Sequence, residues 1–238
     1  MKIHAIIPAR GGSKGIPHKN IIDFCGFPLL AWTINCAIRS ELVEAVWVST
    51  DDDEIAQVAR EYGAAVIKRP EHLGSDIAAS ESALLHASEV IHLTYDNPPT
   101  HFLFLQATSP LRETNEIDDA IKKFSDDQLD SLFSAVPAED FCLWNLHEES
   151  LKSLNFNYEK RGRRQDNSED EIWIETGSFY ISSISGLIKS KNRLHGKIGL
   201  FSVETWKVFE IDTYSSLDLC QCIFQAKLLS KIPSPNTI

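Results

Sequence analysis

Residues 3–20 read Ile3-His4-Ala5-Ile6-Ile7-Pro8-Ala9-Arg10-Gly11-Gly12-Ser13-Lys14-Gly15-Ile16-Pro17-His18-Lys19-Asn20, and their reading decides the fold. Ile3 to Ile7 is an apolar strand. It opens into a loop that holds Gly11, Gly12, Gly15, Ser13 and the cations Arg10, Lys14 and Lys19. Glycine lets a backbone turn sharply and bring its N–H groups close to a ligand. Successive N–H groups in such a turn form an anion-binding concavity. Three fixed cations beside it suit a triphosphate better than a single carboxylate. A loop at the carboxyl end of the first strand of an α/β sheet is also where ligands sit.

Two phosphate-loop patterns fail here. The Gly-x-x-x-x-Gly-Lys-Ser/Thr loop requires a lysine after its last glycine, and Gly15 is followed by Ile16. The Gly-x-Gly-x-x-Gly fingerprint is absent because Gly11 and Gly12 are adjacent. The spacing present is Arg10-x-Gly12-Ser13-Lys14-x-Ile16-x-x-Lys19-Asn20.

Composition narrows the classes. The 238 residues fit one domain, 1–238, with an inserted arm. Hydrophobic residues make up 43 %, and no apolar run reaches the roughly 18–20 residues that cross a bilayer. No basic segment followed by an apolar core marks a leader peptide. The net charge of −11 argues against general nucleic-acid binding, which needs a basic surface. It also makes the cations of residues 10–19 stand out. Five cysteines without a C-x-x-C spacing read as reduced thiols in a cytoplasm. Cys220 and Cys222, two apart on a helix, face different directions.

Along the chain, helical spacing predicts helices over 28–39, 52–62, 81–91, 115–124 and 215–229. Strands are predicted at 45–50, 64–67, 102–106, 131–136, 177–182 and 198–203, with an extended segment at 208–212. Strand–helix alternation implies a mainly parallel sheet covered on both faces. The pattern breaks from Ala138 to Glu175, a polar stretch with the basic run Lys160-Arg161-Gly162-Arg163-Arg164. A long insertion in a compact domain is functional or disordered as a rule.

Four further stretches complete a pattern. They are Val48-Ser49-Thr50-Asp51; Arg69-Pro70 with Ser75-Asp76; Leu105-Gln106-x-Thr108-Ser109-Pro110-Leu111-Arg112; and Glu210-Ile211-Asp212-Thr213. With the first loop, they resemble in order the motifs of the acylneuraminate (sialic acid) cytidylyltransferases, over nearly the whole chain. The resemblance implies an α/β, three-layer, mainly parallel sheet of the nucleotide-diphospho-sugar transferase type, related to the Rossmann folds. It implies attack by a sugar-acid hydroxyl on the α-phosphorus of CTP, Mg²⁺ as cofactor, and a homodimer interlocked through the 138–175 arm. No nucleic-acid or membrane partner is expected.

Residue by residue, the resemblance makes Arg10, Lys19 and Asp212 the catalytic group. Ala9, Gly11, Gly12, Ser13, Lys14, Asn20, Arg69, Ser75 and Asp76 fall on the nucleotide side. Gln106, Ser109, Arg164 and Tyr180 fall on the sugar side. Asp212 and Glu210 match the metal pair. Two carboxylates two apart on extended chain point the same way and supply the oxygen ligands Mg²⁺ takes. Blander readings stand beside these. Glu210 and Asp212 could be solvated carboxylates, Arg69 a surface ion pair and Arg112 a turn-shaping residue. Arg164 could be part of an exposed charge run, and Tyr180 core. Glu210 stands where the family often has Asp, Thr176-Gly177 where it often has Asn-Gly, and Trp144 where sialic acid members often have Lys. These departures leave the acceptor open among nonulosonic acids. The rivals are a CMP-Kdo synthetase, a non-catalytic nucleotide-sugar binding protein and a phosphate-loop kinase.

Overall fold

A computed structural model describes residues 1–70, 73, 80–138, 142–160 and 172–236. The apolar run forms β1 (Ile3–Pro8), and its first five residues are buried. A small hairpin follows, β2 (Asp23–Phe24) with β3 (Phe27–Pro28), and leads into α1 (Leu29–Ile38). Pro28, whose fixed φ suits a helix entrance, is the N-cap rather than the first helical residue. Next come β4 (Val43–Thr50), α2 (Asp53–Glu61), β5 (Ala65–Lys68), α3 (Ser80–Thr94), β6 (His101–Leu105), α4 (Thr114–Asp126) and β7 (Ser131–Pro137). The chain continues with β8 (Trp144–His147), β9 (Ser150–Ser153), β10 (Trp173–Ser183), α5 (Ile184–Ser190), β11 (Ile198–Ser202) and α6 (Tyr214–Lys227).

Seven strands form one sheet in the order β11-β7-β10-β6-β1-β4-β5. β1 runs parallel to β4 and β6, β4 to β5, and β11 to β7; β10 is antiparallel to both its neighbours. The expected mainly parallel α/β architecture is therefore present. β1 lies in the interior of the sheet, so both its faces are covered. Ile3, Ala5 and Ile7 pack into one apolar cluster with α1 and α4, and Ile6 into another with α3 and α5. A third cluster joins α1 to α6 through Trp32, Phe224 and Leu228. Because α1 lies between the sheet and α6, nine of its ten residues are buried.

Most helix starts carry their own signals. Asp52 caps α2 by accepting from the Ile55 N–H at 2.9 Å. Capping boxes open α4, with Glu113 and Glu116, and α6, with Thr213 and Ser216. A helix-cap side chain satisfies N–H groups that the first turn leaves unpaired. The predicted α6 stripe Leu217, Cys220, Phe224 and Leu228 is buried, while Cys222 is exposed.

Three expectations are corrected. α5 was not predicted: seven residues are too few to show a helical period, and Gly186 weakens it. Regular structure resumes at Trp173 instead of 177, so the last residues of the supposed arm pair with β7 in the sheet. The segment expected to be extended over 208–212 leaves its turn only at Phe209, which is extended. Thr205–Val208 is a single 3₁₀ turn, and the chain after Phe209 is irregular until α6. Within the inserted region β8 and β9 form a hairpin whose eight residues are nearly all exposed. Trp144 leans on Phe156 and Tyr158 at 5.3 and 5.4 Å.

Candidate active site

The loop after β1 is held from several sides. The Ala9 N–H donates to Ser49 O at 2.9 Å, and the Gly11 N–H to Asp51 Oδ1 at 3.2 Å. The Asn20 amide donates to Arg10 O at 2.9 Å. His18 adopts a left-handed backbone, φ 49°, and starts the short turn that carries Lys19. Two glycines are required by close approach. A Cβ on Gly11 would stand 2.5 Å from Asp52 Oδ2. A Cβ on Gly15 would collide with the main-chain oxygen of Asp212. The phosphate loop is thus seated directly on the loop that carries the carboxylate pair.

That second loop is fixed in turn. The Ile211 N–H donates to Thr108 O at 2.8 Å, and Ser109 Oγ donates to Glu210 Oε1 at 3.1 Å. Lys19 Nζ lies 2.8 Å from Asp212 Oδ1. Gly177, with φ 67°, leaves room for both Glu210 and Gln106 where a Cβ would strike them. Burial holds the Glu210 carboxyl above the usual carboxylate range; the Ser109 hydrogen bond opposes this and the neighbouring Asp212 charge adds to it. Asp212 is open to solvent, its side chain 73 % exposed. A half-buried carboxyl beside an exposed one, both at one cleft, is a site that gains from a cation.

These loops enclose a cleft of about 320 Å³ at the carboxyl ends of β1, β5 and β6. Arg10, Gly12, Ser13, Lys19, Asn20, Arg69, Gln106, Glu210 and Asp212 all line it. Residues scattered over 200 positions of sequence therefore meet as the sequence reading expected. Phe104, Thr108, Ser80 and Ala83 line it too. The sequence reading missed them, although the alternation of Phe102 and Phe104 along β6 signals a shared face.

Other predicted residues stand behind the wall. Ala9 is buried under the loop, Gly11 backs onto Asp52, and Lys14 is exposed; none of these lines the cleft. Ser109 is buried and reaches the cleft only through Glu210. Arg69 is not a surface ion pair: it is buried, and its guanidinium donates to Ser49 O at 2.6 Å and Ser49 Oγ at 3.2 Å. Burial lowers its pKa, with Asp51 opposing. Arg112 is turn-shaping. It is buried and donates to Ser178 O, Ser109 O and Gln106 O at 2.6, 3.1 and 3.2 Å, clamping the 106–109 turn to β10. Tyr180 is buried behind the wall, stacked on Phe104 at 5.3 Å, and its hydroxyl donates to Glu175. Burial and that carboxylate raise its pKa. Ser75, Asp76 and Arg164 lie outside the described residues.

The donor set fits magnesium. Glu210 and Asp212 offer hard oxygen ligands at the cation-rich cleft. Mg²⁺ is commonly held by one or two carboxylates, with substrate phosphates and water completing its shell.

Comparison with known proteins agrees with this geometry. A family model described as cytidylyltransferase matches residues 4–229. The chain is 32 % identical to a pseudaminic acid cytidylyltransferase of Campylobacter jejuni over 94 % of its own length and 97 % of that protein. It is 40 % identical to N-acylneuraminate cytidylyltransferase B of Danio rerio over 75 % of its length and 41 % of that protein. Among solved structures, a CMP:2-keto-3-deoxy-manno-octonic acid synthetase complexed with CTP superposes with a TM-score of 0.68 at 19 % identity, covering 96 % of this chain and 100 % of that one. That last likeness speaks for the fold alone. The family match, the full-length relative and the assembled motifs lead to one conclusion: the chain belongs to the cytidylyltransferase family, among the acylneuraminate-type nucleotidyltransferases.

Proposed function

We propose that the protein activates a nonulosonic acid: CTP and the sugar acid give the CMP-sugar and diphosphate. The anomeric oxygen of the sugar forms a new bond to the α-phosphorus, the bond from that phosphorus to the bridging oxygen breaks, and the hydroxyl proton passes to solvent. The observation that carries this reading is the meeting of the cationic glycine loop with the carboxylate loop, Lys19 Nζ 2.8 Å from Asp212 Oδ1. Phosphoryl transfer is catalysed mainly by positioning and charge neutralisation, and both are built into this contact.

Arg10, Lys19 and the N–H groups around Gly12 and Ser13 bind the triphosphate. Asn20 keeps the loop in shape through Arg10 O. Arg69 closes the nucleotide side over Ser49. Asp212 and Glu210 would hold Mg²⁺, which would supply Lewis-acid charge neutralisation of the phosphates. Gln106 faces the acceptor with its amide. The named relatives make pseudaminic and N-acylneuraminic acids the first acceptors to try.

The inserted hairpin supports a homodimer. Leu146 and Leu151 are 67 % and 61 % exposed, with Leu143, Leu154 and Tyr158 also outward. So many large apolar groups on one short projection mark an interaction surface, and a second copy of the chain is the occupant proposed here. The five unpaired cysteines suit the cytoplasm, where CTP is made.

The test is diphosphate release from CTP and Mg²⁺ with a panel of acceptors: pseudaminic, legionaminic and N-acetylneuraminic acids, and Kdo. Release with one of the first three, lost in Asp212→Ala, is the expected result. Release with Kdo alone transfers the protein to the Kdo synthetases. No release with any refutes the reading.

A further inference from the structure

Among the described residues, the lining of the sugar side of the cleft holds no obvious cation. Arg10, Lys19 and Arg69 line it, but Lys19 is turned to Asp212 and Arg69 to Ser49. β6 lies between β1 and β10, so Phe104 and Gln106 stand on the side of the cleft away from β4 and β5. A carboxylate brought to that side would leave water beside Glu210, which lines the same cleft. Burying it unpaired would be costly.

One described arginine is placed to meet it. Arg193 lies on the connection from α5 to β11. Its guanidinium carbon is 4.4 Å from the Tyr180 ring centroid and 5.3 Å from that of Phe104. The two rings are themselves stacked, 16° apart in plane. Arg193 Nη1 is 3.3 Å from Oε1 of Glu81. Glu81 sits in the first turn of α3, between the cleft-lining residues Ser80 and Ala83. Arg193 therefore touches the cleft wall on one side and a neighbour of the cleft's α3 edge on the other. Its side chain keeps 22 % exposure.

A guanidinium carries five N–H donors in a fixed fork. Stacking on aromatic faces fixes its plane. Glu81 meets one nitrogen, which leaves further donors for a second carboxylate in the same plane. The head thus lies over two rings, with Glu81 as its ion-pair partner.

We propose that Arg193 is the specificity-determining residue for the acceptor's carboxylate. Glu81, Phe104 and Tyr180 hold it ready, and it selects α-keto acid sugars over neutral ones. This rests on the sugar-acid reading above and deepens it.

The experiment compares a turned-over sugar acid with its C1 carboxamide in the wild type, Arg193→Met, Arg193→Lys and Glu81→Gln. A charge-assisted pair of hydrogen bonds predicts that wild type prefers acid to amide by about 10- to 100-fold in kcat/KM. Arg193→Met should raise KM for the acid by a similar factor, leave KM for CTP within about two-fold and erase the acid-over-amide preference. Arg193→Lys should restore part of it, and Glu81→Gln should keep it. If Arg193 only braces α3 against the loop, Arg193→Met and Glu81→Gln fall together, the preference survives in both, and the proposal is overturned. Should Arg193→Met fold poorly, Arg193→Gln keeps the same comparison. A wild type inactive with every sugar acid refutes the functional reading itself, before any variant is made.

Discussion

Gly15→Ala is the sharpest probe of how the two loops of the cleft are joined. Gly15 does not have a positive φ, so alanine can adopt its backbone without strain. The added methyl meets only the main-chain carbonyl of Asp212. Real Cβ atoms essentially never approach a heavy atom closer than 3.0 Å, and reaching that limit requires the loops to part by about 1 Å. The carbonyl is backbone, so no side-chain rotation relieves the clash. One loop carries Arg10 and Lys19, the other Glu210 and Asp212. A misplacement of about 1 Å between reacting partners costs on the order of 10²-fold in rate, or about 2.7 kcal/mol of barrier. Diphosphate release at saturating CTP and acceptor should therefore fall by about two orders of magnitude. Gly15 is exposed, so the melting temperature should change little. Gly12→Ala, whose Cβ would meet nothing within 4 Å, serves as the folding control. A Gly15→Ala enzyme within about three-fold of wild-type turnover would show that loop contact does not set the site's geometry.

Glu210→Gln should lower activity yet stabilise the ligand-free protein at neutral pH. The folded carboxyl has a raised pKa, so its ionised form is the less favourable one in the fold. Its contribution to stability is fully present below the unfolded value near 4.5 and is lost as pH rises through the higher folded value. Melting curves at pH 4 and pH 8 should show a gain from the substitution only at pH 8; a loss at pH 8 would contradict the burial argument. Lys207, 2 % exposed, binds Glu113 and Glu116 at 2.6 Å each. Lys207→Met leaves both carboxylates without it and should cost about 3 kcal/mol in urea unfolding, with partial recovery in the triple variant that adds Glu113→Gln and Glu116→Gln. An unaffected single variant would mean that solvent already screens the cluster. Replacing residues 144–153 by a short Gly-Ser turn should give monomers in sedimentation, and an intact dimer would move the interface elsewhere.

The local chemistry was readable in the order of residues. The apolar run ending in glycines and cations announced β1 and its anion-binding loop. The helical period over 52–62 announced α2, and the stripe on α6 announced its buried face, because periodicity is a property of a few adjacent residues. The five motif stretches fixed the family and the cast of the cleft. What sequence could not decide depended on contacts between distant segments. Arg112 became a buried clamp because Ser178 of β10 presents its carbonyl there. Arg69 turned inward because Ser49 ends the neighbouring strand. Tyr180 fell behind Phe104 because β10 pairs antiparallel with β6. The need for glycine at 15 and 177 was likewise invisible until Asp212 and Glu210 came to lie against them. Chemistry is carried by residue types, which the chain spells out; which face of a residue meets which partner is set by sheet order and close packing, and only the folded molecule holds those.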